Sequence, residues 1–297
     1  MLRARLSWAL ALALALAATV AETRAAGDAA AGSAERGAYV FAAAGCAECH
    51  TEKGGKPLAG GRALKTPYGT FYSPNITPDP AAGIGKWSET DFRRALREGI
   101  GPDGTHFFPA FPYPSFTLMT DEDIRDLFAY LKSLPAVAQA NRRHELRFPF
   151  RYRLLMLGWN RLYLKRGPLP PDPERSPQWN RGAYLVQALG HCGECHTPRN
   201  WFGALNWEKV LSGSTAGPDG ESVPNLTPDQ DTGIGKWSEK DIVYLLETGQ
   251  KPDGDDVGHG MNAVVDQSTS KLTPEDRAAV AAYLKALPPV RHQIGKK

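Results

Sequence analysis

The 297 residues include only four cysteines, and methionine is equally scarce, with Met119, Met156 and Met261 after the initiator. After residue 20 no apolar run approaches the roughly 20 residues that cross a bilayer. No lysine-rich run or alternation of basic and aromatic residues is typical of nucleic-acid binding. No nucleophile–base pair or pair of catalytic carboxylates stands out either. The four cysteines therefore carry the most chemical information in the chain.

The N-terminus has the three parts of a secretory signal peptide. Arg3 and Arg5 precede an apolar run over residues 6–20, and small residues follow through Ala26. Since the run is short for a membrane anchor, we predict that residues 1–26 are a cleaved signal peptide, with an uncleaved anchor as the alternative. In an oxidising compartment four cysteines would by default form two disulfides, so any other use of them needs a specific reason.

One unit of sequence occurs twice. Three segments recur, at an offset that grows from 145 to 153 residues: 36–51 and 181–197, 73–92 and 223–242, 120–137 and 273–290. Two copies separated by a long connection indicate a tandem pair of domains, whereas a solenoid needs more repeats. We place the first domain at 33–137, the linker at 138–179 and the second domain at 180–290.

Each copy combines a few helices with unusually long loops. Ser88 and Ser238 each precede a helix with acidic residues in its first turn, and Gly99 and Gly249 follow those helices. The remaining stretches are rich in glycine and proline. Loops of this length are uncommon in a compact domain unless something internal organises them. We therefore expect a large group at the centre of each domain.

A C-x-x-C-H motif stands in each copy and admits several interpretations. A redox dithiol needs a βαβ context, which neither copy shows, and structural zinc needs further ligands that recur, which the other histidines do not. C-x-x-C-H attaches haem c, because the thiols form thioethers with the vinyl groups and the histidine binds iron. We predict two covalently attached haem c groups, held by six residues: Cys46, Cys49, His50, Cys192, Cys195 and His196.

The second iron has a clear candidate for its sixth ligand. A methionine thioether opposite the histidine is the ligand found in cytochromes c. Met261 lies in a polar stretch, "GHGMNAVV", twelve residues before Thr273, where the last helix starts. We predict that this stretch is a loop and that Met261 binds the iron.

The first iron leaves three alternatives open. Phe111 stands near the position where methionine is expected, and the nearest methionine is Met119, directly before the helix cap Thr120. Met119 is one candidate ligand, although a residue at that place also packs as a hydrophobic staple. His106 is the second candidate. The third alternative is a vacant position, where iron binds peroxide or another small molecule.

The linker is basic and helical. Residues 138–180 contain nine lysine and arginine residues against three acidic ones. Its apolar residues cover more of the helix surface than one narrow stripe, which favours a helix that packs the two domains together. They are Leu154, Leu155, Leu157, Trp159, Leu162, Tyr163 and Leu164. The alternative is attachment to an anionic membrane surface or an acidic partner.

Together, "PNITPD…GIGKWS", "FPAFPYPSF" and "PDPERSPQWNRGAYL" resemble bacterial diheme c-type cytochromes over residues 33–290. They look like the haem-bearing part of the cytochrome c subunit of membrane-bound alcohol and aldehyde dehydrogenases. The resemblance implies an all-α tandem pair of class I-like cytochrome c domains with His/Met irons. Phe111 departs from the "PAMPY" that many such subunits show. We do not expect the third haem domain and C-terminal anchor that many of them carry.

These observations predict an electron carrier rather than an enzyme. It would be periplasmic, soluble or peripherally membrane-associated, with a periplasmic dehydrogenase as donor and a cytochrome, oxidase or quinone as acceptor. The alternative is a diheme enzyme with one open catalytic haem, of the peroxidase or thiosulfate-oxidising type. A redox sensor would need an output module, and the sequence suggests none.

Overall fold

The two copies of the sequence form two copies of one helical arrangement. This computed structural model describes residues 31–217 and 220–294, so the predicted signal peptide lies outside the described residues. The first copy contains α1 (Ala34–Ala43), α2 (Cys46–His50), α3 (Glu89–Glu98), α4 (Tyr113–Phe116) and α5 (Asp121–Ser133). The linker contributes α6 (Leu155–Tyr163). The second copy contains α7 (Pro177–Tyr184), a π-helical turn (Leu185–Leu189), α8 (Gly193–His196), α9 (Glu239–Thr248), α10 (His259–Gln267) and α11 (Pro274–Lys285).

In each copy the first and last helices cross with their backbones in contact. A Cβ atom on Gly37 of α1 would lie 2.0 Å from the carbonyl oxygen of Asp126 on α5. A Cβ atom on Gly182 of α7 would lie 2.0 Å from the carbonyl oxygen of Ala279 on α11. The glycine of the repeated "RGAY" is therefore the residue that lets the two helices meet, because any side chain would force them apart.

A small sheet corrects the all-α prediction. Strands β1 (Ala63–Thr66) and β2 (Gly69–Tyr72) form an antiparallel hairpin, and β2 also pairs with β3 (Glu145–Leu146). The hairpin forms because "TFY" favours extended backbone and a short turn over residues 67–68 joins the strands. Since β3 belongs to the linker, part of that segment is built into the first copy rather than only joining the two.

The linker helix α6 contacts both copies. The buried Trp159 donates its indole N–H to the carbonyl oxygen of Phe202 at 2.9 Å. Asn160, also on α6, accepts a hydrogen bond of 2.6 Å from the hydroxyl of Tyr113. Phe202 belongs to the second copy and Tyr113 to the first, so α6 forms a hydrogen bond with each copy.

The cores of the two copies are continuous. One cluster of buried side chains includes Val40 and Leu127 of the first copy together with Leu189 and Leu284 of the second. From Ser33 onward the chain accordingly forms one compact unit. Within residues 31–217 and 220–294, no helix combines the length and apolar character needed to span a bilayer.

Candidate haem sites

The cysteine motifs lie on short helices with all four thiols free. Gly45 precedes α2 in the left-handed conformation, with φ of 58°, which turns the chain sharply from α1 into the motif. Burial raises the pKa of Cys46 to about 12 and that of Cys49 to about 11. The equivalent pair behaves alike, since burial raises the pKa of Cys192 to about 11 and of Cys195 to about 12. The chain thus holds two pairs of neutral thiols in largely apolar surroundings.

Each motif histidine is oriented by a proline carbonyl. The Nδ1 atom of His50 lies 2.7 Å from the carbonyl oxygen of Pro74, and that of His196 lies 2.8 Å from the carbonyl oxygen of Pro224. A carbonyl only accepts, so Nδ1 carries the proton and Nε2 keeps its lone pair. Burial lowers the pKa of both imidazoles, for His196 to about 4. Each histidine is therefore a neutral ring with one nitrogen ready to bind a metal.

A buried asparagine holds each proline in place. Asn75 donates from its side chain to the carbonyl oxygen of Val137 at 2.7 Å and accepts the backbone N–H of Thr77 at 2.9 Å. In the second copy the side chain of Asn225 donates likewise to the carbonyl oxygen of Val290 at 2.8 Å. These bonds tie the loop that carries the proline to the segment after the last helix. The repeated "PN" was the signal, but the sequence did not reveal which groups the asparagine joins.

An arginine fixes the glutamate inside each motif. Arg62 donates to the backbone carbonyl of Glu48 and, at 3.2 Å, to its carboxylate. Arg199 donates to the carbonyl of Glu194 at 2.9 Å and to its carboxylate at 2.5 Å. Both arginines thus anchor the short motif helices α2 and α8, a role that sequence analysis missed.

Matching bridges occur in the segments that follow α3 and α9. An antiparallel bridge joins Ile100 to His106 in the first copy, and an equivalent one joins Gln250 to Asp256 in the second. The backbone bond from residue 107 to residue 99, 2.7 Å long, is likewise repeated from 257 to 249 at 2.8 Å. The offset through this segment is therefore 150 residues. Four residues beyond the last matched pair, the first copy has Phe111 at the end of a turn, and the second has Met261 in a helix.

Met261 lies in the first turn of α10, so the prediction that it stands in a loop is wrong. Gly258 precedes the helix, and the N–H of Asn262 already bonds the Gly258 carbonyl at 2.9 Å. The helix continues through Gln267, and the side chain of Val265 within it is buried. Met261 is half-buried against the core of the protein. Phe111 also packs against that core.

Met119 is a fully buried core residue. It precedes the cap of α5, as Leu272 precedes the cap of α11, and Leu272 is buried as well. The backbone N–H of Met119 donates to the carbonyl oxygen of Phe116 at 3.0 Å, and that of Leu272 donates to the carbonyl oxygen of Thr269 at 3.3 Å. Each residue therefore ends a turn. An aliphatic side chain therefore fills this place in the second copy, which is the packing that the staple alternative expects.

His106, the other candidate ligand of the first iron, has a buried ring nitrogen. Its Nδ1 atom has no hydrogen-bond partner among the described residues. Its carbonyl oxygen accepts a hydrogen bond of 2.8 Å from Arg153. The flanking residues Thr105 and Phe107 line an open cavity of about 340 Å³ together with Trp87. His106 does not line that cavity.

Both motifs lie at or beside the contact between the copies. Ser115 of α4 donates to Glu194 in the second motif at 2.8 Å, while Ser268, after α10, donates to the carbonyl of Ala43 at 3.0 Å. Burial is the main cause of the high pKa of Cys195, and the negative charges of Glu194 beside it and of Glu48 in the first motif raise that pKa further. The attachment points are thus close enough to influence each other electrostatically.

The sequence model of the cytochrome c family matches residues 34–135 and again residues 180–288. The chain belongs to the cytochrome c family. Since each match contains a C-x-x-C-H motif, this cytochrome carries two covalently attached haem c groups.

Similar proteins include subunits of several dehydrogenases. The cytochrome is 49% identical over 259 residues to a subunit of nicotinate dehydrogenase from Pseudomonas putida. It is 43% identical over 270 residues to a diheme cytochrome c-type protein of Cereibacter sphaeroides, of which it covers 87%. It is 40% identical over 270 residues to the gluconate 2-dehydrogenase cytochrome c subunit of Pantoea cypripedii. These alignments include 85 to 87% of the cytochrome, but it spans only 21% of the Pseudomonas protein and 59% of the Pantoea protein.

The donor atoms present fit haem c on the histidine side of both sites. Each site offers two neutral thiols three residues apart and an imidazole whose Nε2 is free, which are the groups that thioether formation and iron binding require. The described part of the cytochrome has no comparable set of zinc ligands, because it contains no group of three or more His, Cys, Asp or Glu side chains placed to hold a metal ion. The two copies differ at one position of the sequence alignment, where the first has Phe111 and the second has Met261.

Proposed function

We propose that this cytochrome is the electron-transfer subunit of a periplasmic dehydrogenase and passes single electrons to the respiratory chain. The observation that carries the proposal is the pair of C-x-x-C-H motifs that lie at or beside the contact between the copies within one compact unit. Relatives that cover most of the chain are named as cytochrome c subunits of gluconate and alcohol dehydrogenases. Their names support a dehydrogenase as the electron donor.

Six residues are proposed to hold the haems: Cys46, Cys49 and His50 at the first site, and Cys192, Cys195 and His196 at the second. Met261 is proposed as the sixth ligand of the second iron. The haem supplies reversible one-electron chemistry at its iron. The protein's part is to keep each imidazole neutral, to aim its Nε2 through the proline carbonyl, and to shield the site from water.

Electrons are proposed to enter and leave through different haems. Each attachment motif has a bond between the copies in or near it, from Ser115 to Glu194 and from Ser268 to Ala43. Internal transfer between closely spaced centres lets one partner dock at each end of the molecule. This arrangement suits a carrier between a dehydrogenase and a second redox protein or quinone.

Export to the periplasm is part of the proposal. It is supported by the signal-like residues 1–26 and by the chemistry of haem c, which is attached outside the cytoplasm. Fractionation of cells that express the full chain tests this directly. The coloured protein is expected in the periplasmic or membrane fraction, with its N-terminus between residues 22 and 27, and uncoloured cytoplasmic protein would contradict the proposal.

The outer face of the linker suggests peripheral contact with an anionic membrane. Leu154 and Leu162 of this segment are each 74% exposed, and nearby Trp201 is 85% exposed. Trp201 lies close because the adjoining Phe202 accepts the indole N–H of Trp159 on α6. The surrounding segment carries a net excess of six positive charges over residues 138–180. Exposed apolar side chains within a basic region are typical of proteins that bind the membrane interface.

Vesicle sedimentation tests the membrane contact. The haem-loaded protein is expected to sediment with vesicles that contain phosphatidylglycerol and to stay in solution with pure phosphatidylcholine. Replacing both leucines, Leu154→Ser with Leu162→Ser, should weaken binding several-fold. Tyr244→Ser, which changes an exposed aromatic residue on α9, is the matched control and should bind normally. Equal binding by the leucine variant would contradict the contact.

Potentiometric titration of the exported protein tests the carrier function. We expect two reversible one-electron steps and rapid reduction of both haems by a dehydrogenase of the alcohol or gluconate type. Turnover of hydrogen peroxide or thiosulfate by the purified protein would instead support the enzyme alternative.

A further inference from the structure

The position of methionine in the first site is taken by an aromatic residue. The repeated bridges fix the register of residues 99–107 against residues 249–257. Counted on by four residues, this register pairs Phe111 with Met261 in sequence, although the backbone forms a turn at Phe111 and helix α10 at Met261. A phenyl ring offers no lone pair, so Phe111 cannot bind iron.

The nearest methionine is already used for packing. Met119 has no exposed surface, and its counterpart Leu272 fills the same place in the second copy. Leu272 contains no sulfur atom, so packing at this position does not require a methionine. Met119 is therefore explained by the core around α5, without a role at the iron.

An aromatic cluster surrounds Phe111. We use that term for Phe107, Phe111, Tyr113 and Phe116. The ring centroid of Phe111 lies 5.9 Å from that of Phe107, 6.3 Å from that of Tyr113 and 5.7 Å from that of Phe116. The hydroxyl of Tyr113 is occupied by its 2.6 Å bond to Asn160. The cluster therefore presents carbon surfaces, which favour an uncharged ligand and provide no group to protonate or stabilise an anion.

We propose that the iron held by His50 has no methionine ligand, and that the aromatic cluster leaves its sixth position open to a small neutral molecule such as carbon monoxide. This inference rests on the proposed function, in which each motif holds one haem. It makes the two haems unequal: one is closed by Met261 and serves only electron transfer, while the other binds an external ligand.

Spectroscopy of the exported, haem-loaded chain tests the proposal. The oxidised protein should show the thioether-to-iron band for one of its two haems, and the reduced protein should bind one carbon monoxide per chain. Phe111→Met supplies the missing ligand, so it should double the thioether band and reduce carbon monoxide binding to near zero. Met119→Leu copies the residue of the second unit and should change neither signal. Met261→Leu should abolish the band and raise binding to two per chain.

Two results would overturn the inference. Two thioether bands in the unmodified protein, one of them lost in Met119→Leu, would make Met119 the ligand. A first haem that binds no carbon monoxide until His106→Ala is introduced would make His106 the ligand. Failure of the proposed function would look different, because the purified chain would then contain fewer than two haems, whatever their ligands.

Discussion

Tyr39 of the first copy donates a hydrogen bond to Asp276 of the second, with 2.5 Å between the hydroxyl and carboxylate oxygens. The relationship is reciprocal, because Tyr184, the same residue of the second "RGAY", donates to Asp123 of the first copy. Each hydroxyl also accepts a backbone N–H from the cap of the facing helix, at 3.2 Å from Thr273 to Tyr39 and at 3.0 Å from Thr120 to Tyr184. The contact between the copies is thus built from one set of residues used twice.

Removal of the hydroxyl of Tyr39 should destabilise the contact. Tyr39→Phe leaves the largely buried carboxylate of Asp276 without one of its donors, and such losses cost about 1–3 kcal/mol of unfolding free energy. Urea unfolding of the haem-loaded protein measures this. Tyr244→Phe, whose hydroxyl bonds Gln250 on the surface, is the matched control and should change stability by less than about 0.5 kcal/mol. Equal effects of the two variants would show that the hydrogen bond between the copies contributes nothing.

Asp276 should make the free energy of unfolding depend on pH at acidic pH values. Burial alone would raise the pKa of Asp276, but hydrogen bonds from Arg181 and Tyr39 outweigh it and hold the pKa below the usual value. A lowered pKa in the folded state contributes stability that is present above the unfolded pKa of about 3.9 and is lost as the pH falls through the folded value. Asp276→Asn should therefore be less stable than the unmodified protein at pH 6, and the gap should narrow below about pH 4. A gap that stays constant down to pH 2 would contradict this account.

The crossing of α7 and α11 should not tolerate a side chain at Gly182. Gly182→Ala places a Cβ atom 2.0 Å from a backbone carbonyl oxygen, so the helices must separate, at a cost of roughly 3 kcal/mol or more. Gly158→Ala on α6 is the control, since a Cβ atom there would have no neighbour within 4 Å, and it should be neutral or stabilise by up to about 1 kcal/mol. Thermal unfolding of the two variants compares them. Equal midpoints would show that the two helices can separate at little cost.

Met261 should set the reduction potential of the second haem. Met261→Leu removes the thioether that stabilises the reduced iron, so that potential should fall by on the order of 0.1 V, within the roughly 0.8 V that axial ligands control. The potential of the first haem should change little. Spectroelectrochemical titration resolves the two. An unchanged pair of potentials would mean that Met261 does not bind the iron.

Local signals in the sequence predicted the local features of the fold. The motif spacing predicted two covalently attached haems, and the helix caps at Ser88 and Ser238 are present in full, each paired with an aspartate three residues later. These features depend on residues within one turn of each other, so neighbouring letters are enough to specify them. The tandem arrangement was equally visible, because a repeat is a property of the sequence itself.

Contacts between distant residues could not be predicted in the same way. Tyr39 and Asp276 are separated by 237 positions, and no local pattern pairs them. Strand β2 needs β3, some 75 residues along the chain, which explains why the all-α prediction overlooked the sheet. The conformation at Met261 was predicted wrongly, because its distance from the last helix says nothing about the hydrogen bonds that form α10.

Haem content per chain tests the central claim most directly. The exported protein should be measured by intact mass after denaturation and by its pyridine haemochrome spectrum. The account predicts two haems that stay attached to the unfolded chain, with one lost in a Cys46→Ala/Cys49→Ala variant and the other in Cys192→Ala/Cys195→Ala. A chain without bound haem, or with haem that acid solvent extracts, would contradict it.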